Sequence, residues 1–564
     1  MPESGFHYRA SVMVRASSES VARMTRRPFW IPFREKEEDV KAIARRMGVI
    51  ATLAVAVLVL GACTTLRTDY VKQPSKALPP ATTTPSGRYI HAEANQHQDQ
   101  SGFRLLTLSN NALMSRVVLA DHAEHSIDLQ YYIFNNDATG RLVAQRLLAA
   151  ADRGVRVRLL LDDINSASAV DMMDALDAHP NIEVRLFNPF HTRKPSFLSK
   201  TTQFMLDAHR LNRRMHNKSY IVDGNVAIIG GRNIGDAYFD AGNDTNFRDL
   251  DLIAIGPVVK QASHAFDEYW NCDAVYPVQA FKGKHASHYD LAQLRLDLRR
   301  DARAFAQTDY AQATLDKLPN GPSGDRPGAW FWGPATLVAD QPEKIDADKD
   351  EIRALRIGPQ IRAMIDQAQQ DVRLISPYFI PGDEGTRYLT DLTGRGVKVK
   401  VLTNSLASTD EAAVHAGYSR YRRTLLEGDV QLYELRPAAG VEQPATSKGT
   451  SSGVSLHAKA IVVDGKLVFI GSMNMDQRSK LLNTEMGIIV DCPALAAAVT
   501  NFFDTATQPN SSYHVTLSAP HGGHMQWQDS ENGKLVTYHH EPKASMKRRL
   551  EVDTLRLMPI DGML

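Results

Sequence analysis

The sequence predicts an α/β fold built twice over: two mixed, largely parallel sheets with flanking helices, one in each half of the chain, and an active site between the halves. Three observations predict it. SIDLQYYIF (126–134) reads as a strand, GRLVAQRLLAAADRG (140–154) as an amphipathic helix and VRVRLLLDD (155–163) as a buried strand, and VRLISPYFI (372–380), GTRYLTDLTGRG (385–396) and VKVKVLTNS (397–405) repeat that order. The register holds over long distances: Gly154 and Gly396 are 242 residues apart, and His216 and His457 are 241 apart. Finally, HNKSYIVDGNVAIIGGRN (216–233) returns as HAKAIVVDGKLVFIGSMN (457–474). Strand–helix–strand units imply parallel strands with helices on the faces of the sheet.

Before the repeats comes an address. After Arg45 and Arg46 an apolar run of 16 residues (Met47–Ala62) ends at Cys63. That is short for a membrane span, which needs about 20 residues, and suits the core of a signal peptide. Leu60-Gly61-Ala62-Cys63 resembles a bacterial lipobox, which implies lipidation of Cys63 as the mature N-terminus; an uncleaved, tilted anchor is the alternative. Either reading puts the bulk of the chain at a membrane, outside the cytoplasm; the lipobox reading makes residues 1–62 an N-terminal extension with its signal and leaves the body in a bacterial cell envelope, lipid-anchored and facing the periplasm. Residues 63–100, rich in Thr, Pro, Ser and Gln, have the composition of a flexible tether spanning on the order of 35 Å.

The first half is expected at 101–272 and the second at 329–515. A connector at 273–328 carries an amphipathic helix around Leu291, Leu294, Leu298 and Phe305, then the breaker LPNGPSGDRPG. A tail follows at 516–564, with a hairpin turning at Asn532-Gly533. The full chain carries a net charge of +1; residues 1–62 hold ten Lys/Arg and six Asp/Glu, which leaves 55 basic against 58 acidic, or −3. Nonspecific nucleic-acid binding relies on neutralising phosphates, so nucleic acid is not an expected partner. Apart from Cys63 only Cys272 and Cys492 occur, read as two buried free thiols, with a disulfide between them in an oxidising compartment as the alternative. No cysteine spacing suits a metal, and His521, His524, His539 and His540 read as loop histidines. No cofactor is expected.

On a strand, residues i and i+2 share a face, so each H-x-K presents an imidazole beside a cation. Two facing half-sites supply a nucleophile, an acid and two cations for the equatorial oxygens of a phosphoryl group, enough to split a phosphodiester without metal. The motifs give His216, Lys218, Asp223, His457, Lys459 and Asp464 as the catalytic set, although Asp223 and Asp464 at their Asp-Gly turns better suit a structural part. Opposite duties need one neutral and one protonated histidine, which an unperturbed pKa of about 6.5 makes accessible and which predicts a bell-shaped pH profile. Asp249 and Glu485 sit in otherwise apolar strands, where an acid is costly unless paired, and are assigned to orient the histidines, with Asp251 competing in the first half. Asn233, Asn474 and Ser472 are placed in the phosphate pocket. The basic, apolar segment HTRKPSFLSKTTQFMLDAHRLNRRM (191–215) holds six Lys/Arg against one Asp and suits either an anionic membrane surface or ordinary packing on the sheet.

The paired H-x-K-x-x-x-x-D motifs resemble the phospholipase D superfamily over most of residues 101–564. GGRNIGDAYF (230–239), TNSLASTDEAAVHAGYSRYR (403–422), YELRP (433–437) and GSMNMDQRSKLLNTEMG (471–487) are similar to the bacterial cardiolipin synthase group, closest to its C subtype. The resemblance implies a covalent phosphatidyl-histidine intermediate with no metal, His216 as nucleophile and His457 as acid. Gly231 stands where the second copy has Ser472, which leaves one oxyanion contact missing. The implied activity is a membrane-tethered phosphatidyltransferase making cardiolipin from phosphatidylglycerol and a phosphatidyl donor, phosphatidylethanolamine among the candidates, with any helper protein left open. The alternatives are a hydrolytic phospholipase D releasing phosphatidic acid and, less favoured, a nuclease of the same superfamily.

Overall fold

The computed structural model describes residues 65–557 apart from 165–166, 193–196, 243–244, 283–289, 317–328, 348–354, 438–452, 520–522 and 532. Cys63, the apolar run before it, His521, Asn532 and the breaker at 318–328 therefore lie outside the described residues.

Each half is built round a sheet whose centre is parallel. In the first, Ser126–Tyr131, Arg156–Asp162 and Ile182–Phe187 run parallel. Ser219–Val222, Val226–Gly230 and Asp251–Ile255 then add antiparallel beside Ser126–Tyr131. The second repeats this with Asp371–Ile375, Lys398–Asn404 and Gln431–Leu435 parallel, and Ala460–Val463, Leu467–Gly471 and Met486–Asp491 antiparallel. Edge strands complete sheets of nine and ten strands. The parallel run thus stops after three strands in each half. The motif hairpins are the reason, because a connection of only three residues can join only antiparallel strands.

Those turns are Asp223-Gly224 and Asp464-Gly465, all four residues at φ between 50° and 64°, the left-handed pair that a type I′ hairpin requires. The Asp223 carboxylate accepts the backbone N–H groups of Glu124, His125 and Ser126 at 2.7–3.0 Å. Asp464 accepts those of Gln369, Gln370 and Asp371 at 2.8 Å. Each motif aspartate fastens the start of the neighbouring strand, at the end of the hairpin away from the histidine, so neither belongs to the catalytic set.

Both sheets lie in one compact unit, Ala62–Leu564. One apolar cluster serves the first half, another the second, and a third is shared, packing Ile229, Leu252 and Phe266 with Val462, Ile470 and Ile488. The chain passes between sheets at Pro334: Phe331–Gly333 pairs with Ser101–Phe103 of the first sheet, and Ala335–Ala339 with Met486–Val490 of the second. The connector helix Leu291–Ala306 sets Leu294 and Leu298 into the first-half core, and Met525–Glu531 pairs with Lys534–Tyr538 as a hairpin.

Residues 65–100 are not a loose tether. Thr65–Leu66 pairs with Phe281–Lys282, the Lys72 ammonium donates to the carbonyls of Cys272 and Val275, and the amides of Ser75 and Ala77 donate to Asn271 and Asp267. Pro85–Asn95 then forms a helix capped by the Thr84 hydroxyl. A composition poor in apolar residues is held here by side chains of the helix Pro257–Asn271 rather than by a core of its own. Cys272 and Cys492 are free thiols, and burial pushes the Cys272 thiol up to about 12. No helix among the described residues is long and apolar enough to cross a membrane.

Candidate active site

Strand pairing begins at Ser219 and Ala460, so His216, Lys218, His457 and Lys459 occupy the extended approach to each hairpin rather than the ladder itself. What fixes that approach is the other half of the molecule. The His216 amide donates to the Thr484 carbonyl at 2.9 Å, and the Thr484 amide to the Arg214 carbonyl at 2.9 Å. In the mirror arrangement Gly453–Leu456 lies parallel to Thr245–Arg248, and the His457 amide donates to the Arg248 carbonyl at 2.8 Å. Each histidine is therefore held one residue from the acid of the opposite half.

The acids complete the exchange. His216 Nδ1 lies 2.8 Å from Glu485 Oε2, and His457 Nδ1 lies 2.6 Å from Asp249 Oδ2. Nδ1–H donated to a carboxylate leaves Nε2 with its lone pair. Asp251, the competing candidate, is spent on Arg116 and Arg232 instead. Lys218 Nζ donates to the His216 carbonyl at 2.6 Å; Lys459 Nζ donates to the His457 carbonyl and lies 3.0 Å from His457 Nδ1. Tyr132 stands edge-on to His216, and Tyr238 and Phe247 wall His457, at ring separations of 5.0–5.2 Å.

Burial sets the protonation. It pushes His216 down to about 4, Glu485 opposing and Lys218 adding to the shift; it pushes His457 down to about 3, with Lys459 adding. Both imidazoles are thus held neutral by their surroundings, against the expected split of one neutral and one protonated. The same burial brings Lys218 down to about 7 and Lys459 to about 8, tempered by the carboxylates around them. Burial works against Asp249 too, but His457, Lys459 and Arg232 outweigh it and hold the carboxyl near 2. Glu485 is likewise held below its ordinary value by His216 and Lys218 against the cost of burial.

Two further placements differ from expectation. The Ser472 hydroxyl donates to Glu485 Oε2 at 2.5 Å, so it braces the acid rather than lining a phosphate pocket, and Ser479 supports the other oxygen at 2.7 Å. At Gly231 a Cβ would stand 2.1 Å from Asp249 Oδ1. The shorter acid lies against the strand where a serine side chain would sit, so Gly231 makes room for Asp249 and no oxyanion contact is lost. Asn233 spends its amide on the Ile133 N–H and the Tyr238 hydroxyl, whereas the buried Asn474 Oδ1 has no hydrogen-bond partner among the described residues. Asp340 escaped the sequence reading altogether. Its carboxylate accepts the Glu485 amide and the Lys344 ammonium, both at 2.8 Å, and fixes the strand entry that carries the acid. An acid closing the apolar run ATLVAD was the available signal. Met205 and Leu206, in the basic segment before the site, are exposed.

Two imidazoles, each oriented through Nδ1 by the other half's carboxylate and flanked by a buried lysine, can act on the two sides of one phosphorus, one attacking as the neutral base and the other protonating the leaving oxygen once it has itself taken up a proton. A family model described as "Cardiolipin synthase, PLD-like domain" matches residues 117–270 and 361–507. The chain is 40% identical to cardiolipin synthase C of Escherichia coli (strain K12) over 479 residues, covering 83% of this chain and 98% of that one. It is 29% identical to a cardiolipin synthase of Geobacillus kaustophilus (strain HTA426) over 383 residues, covering 68% and 61%. Among solved structures, phosphatidylserine synthase of Haemophilus influenzae Rd KW20 is similar in fold, with a TM-score of 0.50 at 12% identity over 85% of this chain and 99% of that one.

Proposed function

The chain belongs to the cardiolipin synthase, PLD-like family and is a phosphatidyltransferase of the phospholipase D superfamily, and on that premise we propose that it makes cardiolipin by transferring a phosphatidyl group to the glycerol hydroxyl of phosphatidylglycerol through a phosphohistidine. The observation that carries this reading is the pair of crossed Nδ1–carboxylate bonds, which leave both Nε2 atoms for a phosphorus between Lys218 and Lys459.

In the first step His216 Nε2 attacks phosphorus, the bond to the donor's headgroup oxygen breaks, and His457 gives that oxygen its proton. In the second, His457 takes the proton of the incoming hydroxyl, the new P–O bond forms and the P–N bond to His216 breaks. The proton His457 needs at the start is not on the neutral imidazole. The anionic phosphodiester brings the charge that favours an imidazolium, so His457 takes that proton up from solvent as the substrate binds. Lys218 and Lys459 stabilise the equatorial oxygens throughout.

The same phosphohistidine can pass to water, so the acceptor decides the product. Water at about 55 M loses only where the site orients the lipid hydroxyl, for which effective molarities of about 10⁵ M are available. Supplying vesicles of phosphatidylglycerol, with and without phosphatidylethanolamine, is expected to yield cardiolipin and the donor's headgroup alcohol. Phosphatidic acid as the sole product would assign a hydrolytic phospholipase D instead. A lipid anchor at Cys63 in the cell envelope, presenting the body to a membrane surface, completes the proposal.

A further inference from the structure

The carboxyl ends of the parallel strands carry more than the histidines. Ser219 pairs with Gln130 and Ala460 with Ile375, so His216 and His457 stand just past the carboxyl ends of Ser126–Tyr131 and Asp371–Ile375. In the second half Lys398–Asn404 ends at the same face. The Asn404 side chain accepts the Leu456 amide at 2.8 Å and donates to the Leu456 carbonyl at 3.0 Å, pinning the residue before His457. The residues that follow Asn404 seat the C-terminal helix Met546–Arg556. Its Val552 and Leu555 pack on Leu406, Ala412 and Ala416, and its Arg548 donates to the Thr409 carbonyl at 3.0 Å.

The other face of that helix is apolar too. Met546, Leu550 and Leu557 recur at i, i+4 and i+11, which turns them away from Val552 and Leu555, and they are 82%, 69% and 87% exposed. Asp553 shares their face and is tied back to Arg556 at 3.8 Å. Residues 543–556 hold five Lys/Arg against Glu551 and Asp553, so the stripe lies in a surplus of positive charge. The first half has a counterpart. Asn188, just past the carboxyl end of Ile182–Phe187, donates to the Arg210 and Arg213 carbonyls at 2.8 and 2.7 Å. The basic segment held there carries Met205 and Leu206, 77% and 83% exposed.

We propose that the helix Met546–Arg556 docks on an anionic bilayer, laying Met546, Leu550 and Leu557 among the acyl chains beside the active site, with Met205 and Leu206 as the matching contact of the first half. The docking role rests on the transferase reading for its lipid substrate. An apolar stripe bordered by Lys and Arg is the pattern of a helix that lies in the plane of a membrane surface. A stable protein partner would need about 800 Å² on each side, more than three side chains on one helix supply. The chemistry of the neighbouring site agrees, because a phosphatidyl group reaches His216 and His457 only if the carboxyl-end face meets the bilayer. A contact at this helix is separate from any anchor at the N-terminus and orients the body instead of merely holding it near.

The test places an indole on the stripe. Full-length enzyme carrying Leu550→Trp, and as a control Leu296→Trp on the connector helix, is bound to vesicles whose phosphatidylglycerol bears brominated acyl chains. The indole at 550 is expected to be quenched by bromine and shielded from aqueous acrylamide, the one at 296 neither. Replacing the phosphatidylglycerol by brominated phosphatidylcholine should weaken the quenching. An indole at 550 open to acrylamide on phosphatidylglycerol vesicles overturns the docking face. One shielded from acrylamide yet untouched by bromine is covered by protein and overturns the lipid occupant. Met546→Gln, Leu550→Gln and Leu557→Gln together should lower turnover of vesicle phosphatidylglycerol about tenfold or more and leave turnover of monomeric short-chain phosphatidylglycerol unchanged. Equal loss on both substrates would make the stripe structural and overturn the proposal. Quenching at 550 in an enzyme that turns over no phospholipid would uphold the docking face and remove the transferase reading.

Discussion

Asp249 and His457 are 208 residues apart in the chain and 2.6 Å apart in the fold, and their bond crosses from one repeat to the other. Its counterpart, Glu485 to His216, spans 269 residues. Neither imidazole is oriented by its own half. Asp249→Asn and Glu485→Gln should therefore each disable a histidine belonging to the other repeat, lowering kcat on the order of 10²-fold with KM changed less. His216→Ala and His457→Ala should abolish transfer. A Glu485→Gln enzyme as active as wild type would remove the orienting role.

Gly231 and Ser472 occupy matching positions but should respond oppositely to alanine. A Cβ at 231 meets Asp249 at 2.1 Å, so Gly231→Ala must push the acid away from His457, and activity should fall by about 10²-fold or more. Ser472→Ala removes one of the donors to Glu485 while Ser479 remains, and should cost about tenfold or less. Steady-state kinetics on the two variants would decide, with comparable losses contradicting the steric account.

The pH dependence should reflect the lysines on its basic side. Lys218 near 7 and Lys459 near 8 lose their charge in the free enzyme as pH rises, so kcat/KM should decline above about pH 7, and more steeply above about 8, rather than follow two imidazoles alone. Stability runs the other way. The folded state keeps both histidines neutral down to about 4 and 3, whereas an unfolded histidine binds a proton below about 6.5. The unfolded state then holds more protons, and stability falls as pH drops from about 6.5 towards 4. Asp249 and Glu485, held below their ordinary values, extend the loss to lower pH. Melting temperatures across this range should drop less in His457→Gln than in wild type.

Chelation should leave turnover intact, because the buried lysines supply the positive charge that a metal would bring. Loss of activity with EDTA that zinc or magnesium restores would contradict the mechanism. The assay needs vesicles whose surface charge is matched with and without chelator.

Cys63→Ala should block processing and leave a larger precursor in the envelope fraction. A Cys63→Ala protein of unchanged mature size would remove the lipid anchor from the proposal.

The duplicated motif was legible because spacing survives in a sequence: His216, Lys218 and Asp223 repeat at 457, 459 and 464. The hairpin turns were legible for the same reason, since Asp-Gly has few conformations. What a residue faces across the fold was not. Asp249 and Glu485 could be named as buried acids, but which histidine each serves depends on main-chain pairing of Thr245–Arg248 with Gly453–Leu456 and of Met215 with Thr484. The lowered histidines follow from burial by Tyr132, Tyr238 and Phe247, ring contacts that no local pattern announces. Ser472 and Asp340 were misread or missed because their partners are other site residues rather than substrate. Residues 65–100 were misread because composition reports the absence of a core, not the presence of Asp267 and Asn271 to hold the chain.

The pairing of Thr65–Leu66 with Phe281–Lys282 has a geometric consequence if Cys63 carries a lipid. Only Thr64 separates that cysteine from a paired residue, and two residues of chain reach about 7 Å at most. Such an enzyme is mounted on a short pivot. It can swivel over the leaflet that holds its own acyl chains, and lipid substrates supplied by that leaflet reach it by lateral diffusion. Encounter then depends on lipid density per unit area, and dilution of the vesicles at constant composition should leave the rate per anchored enzyme unchanged.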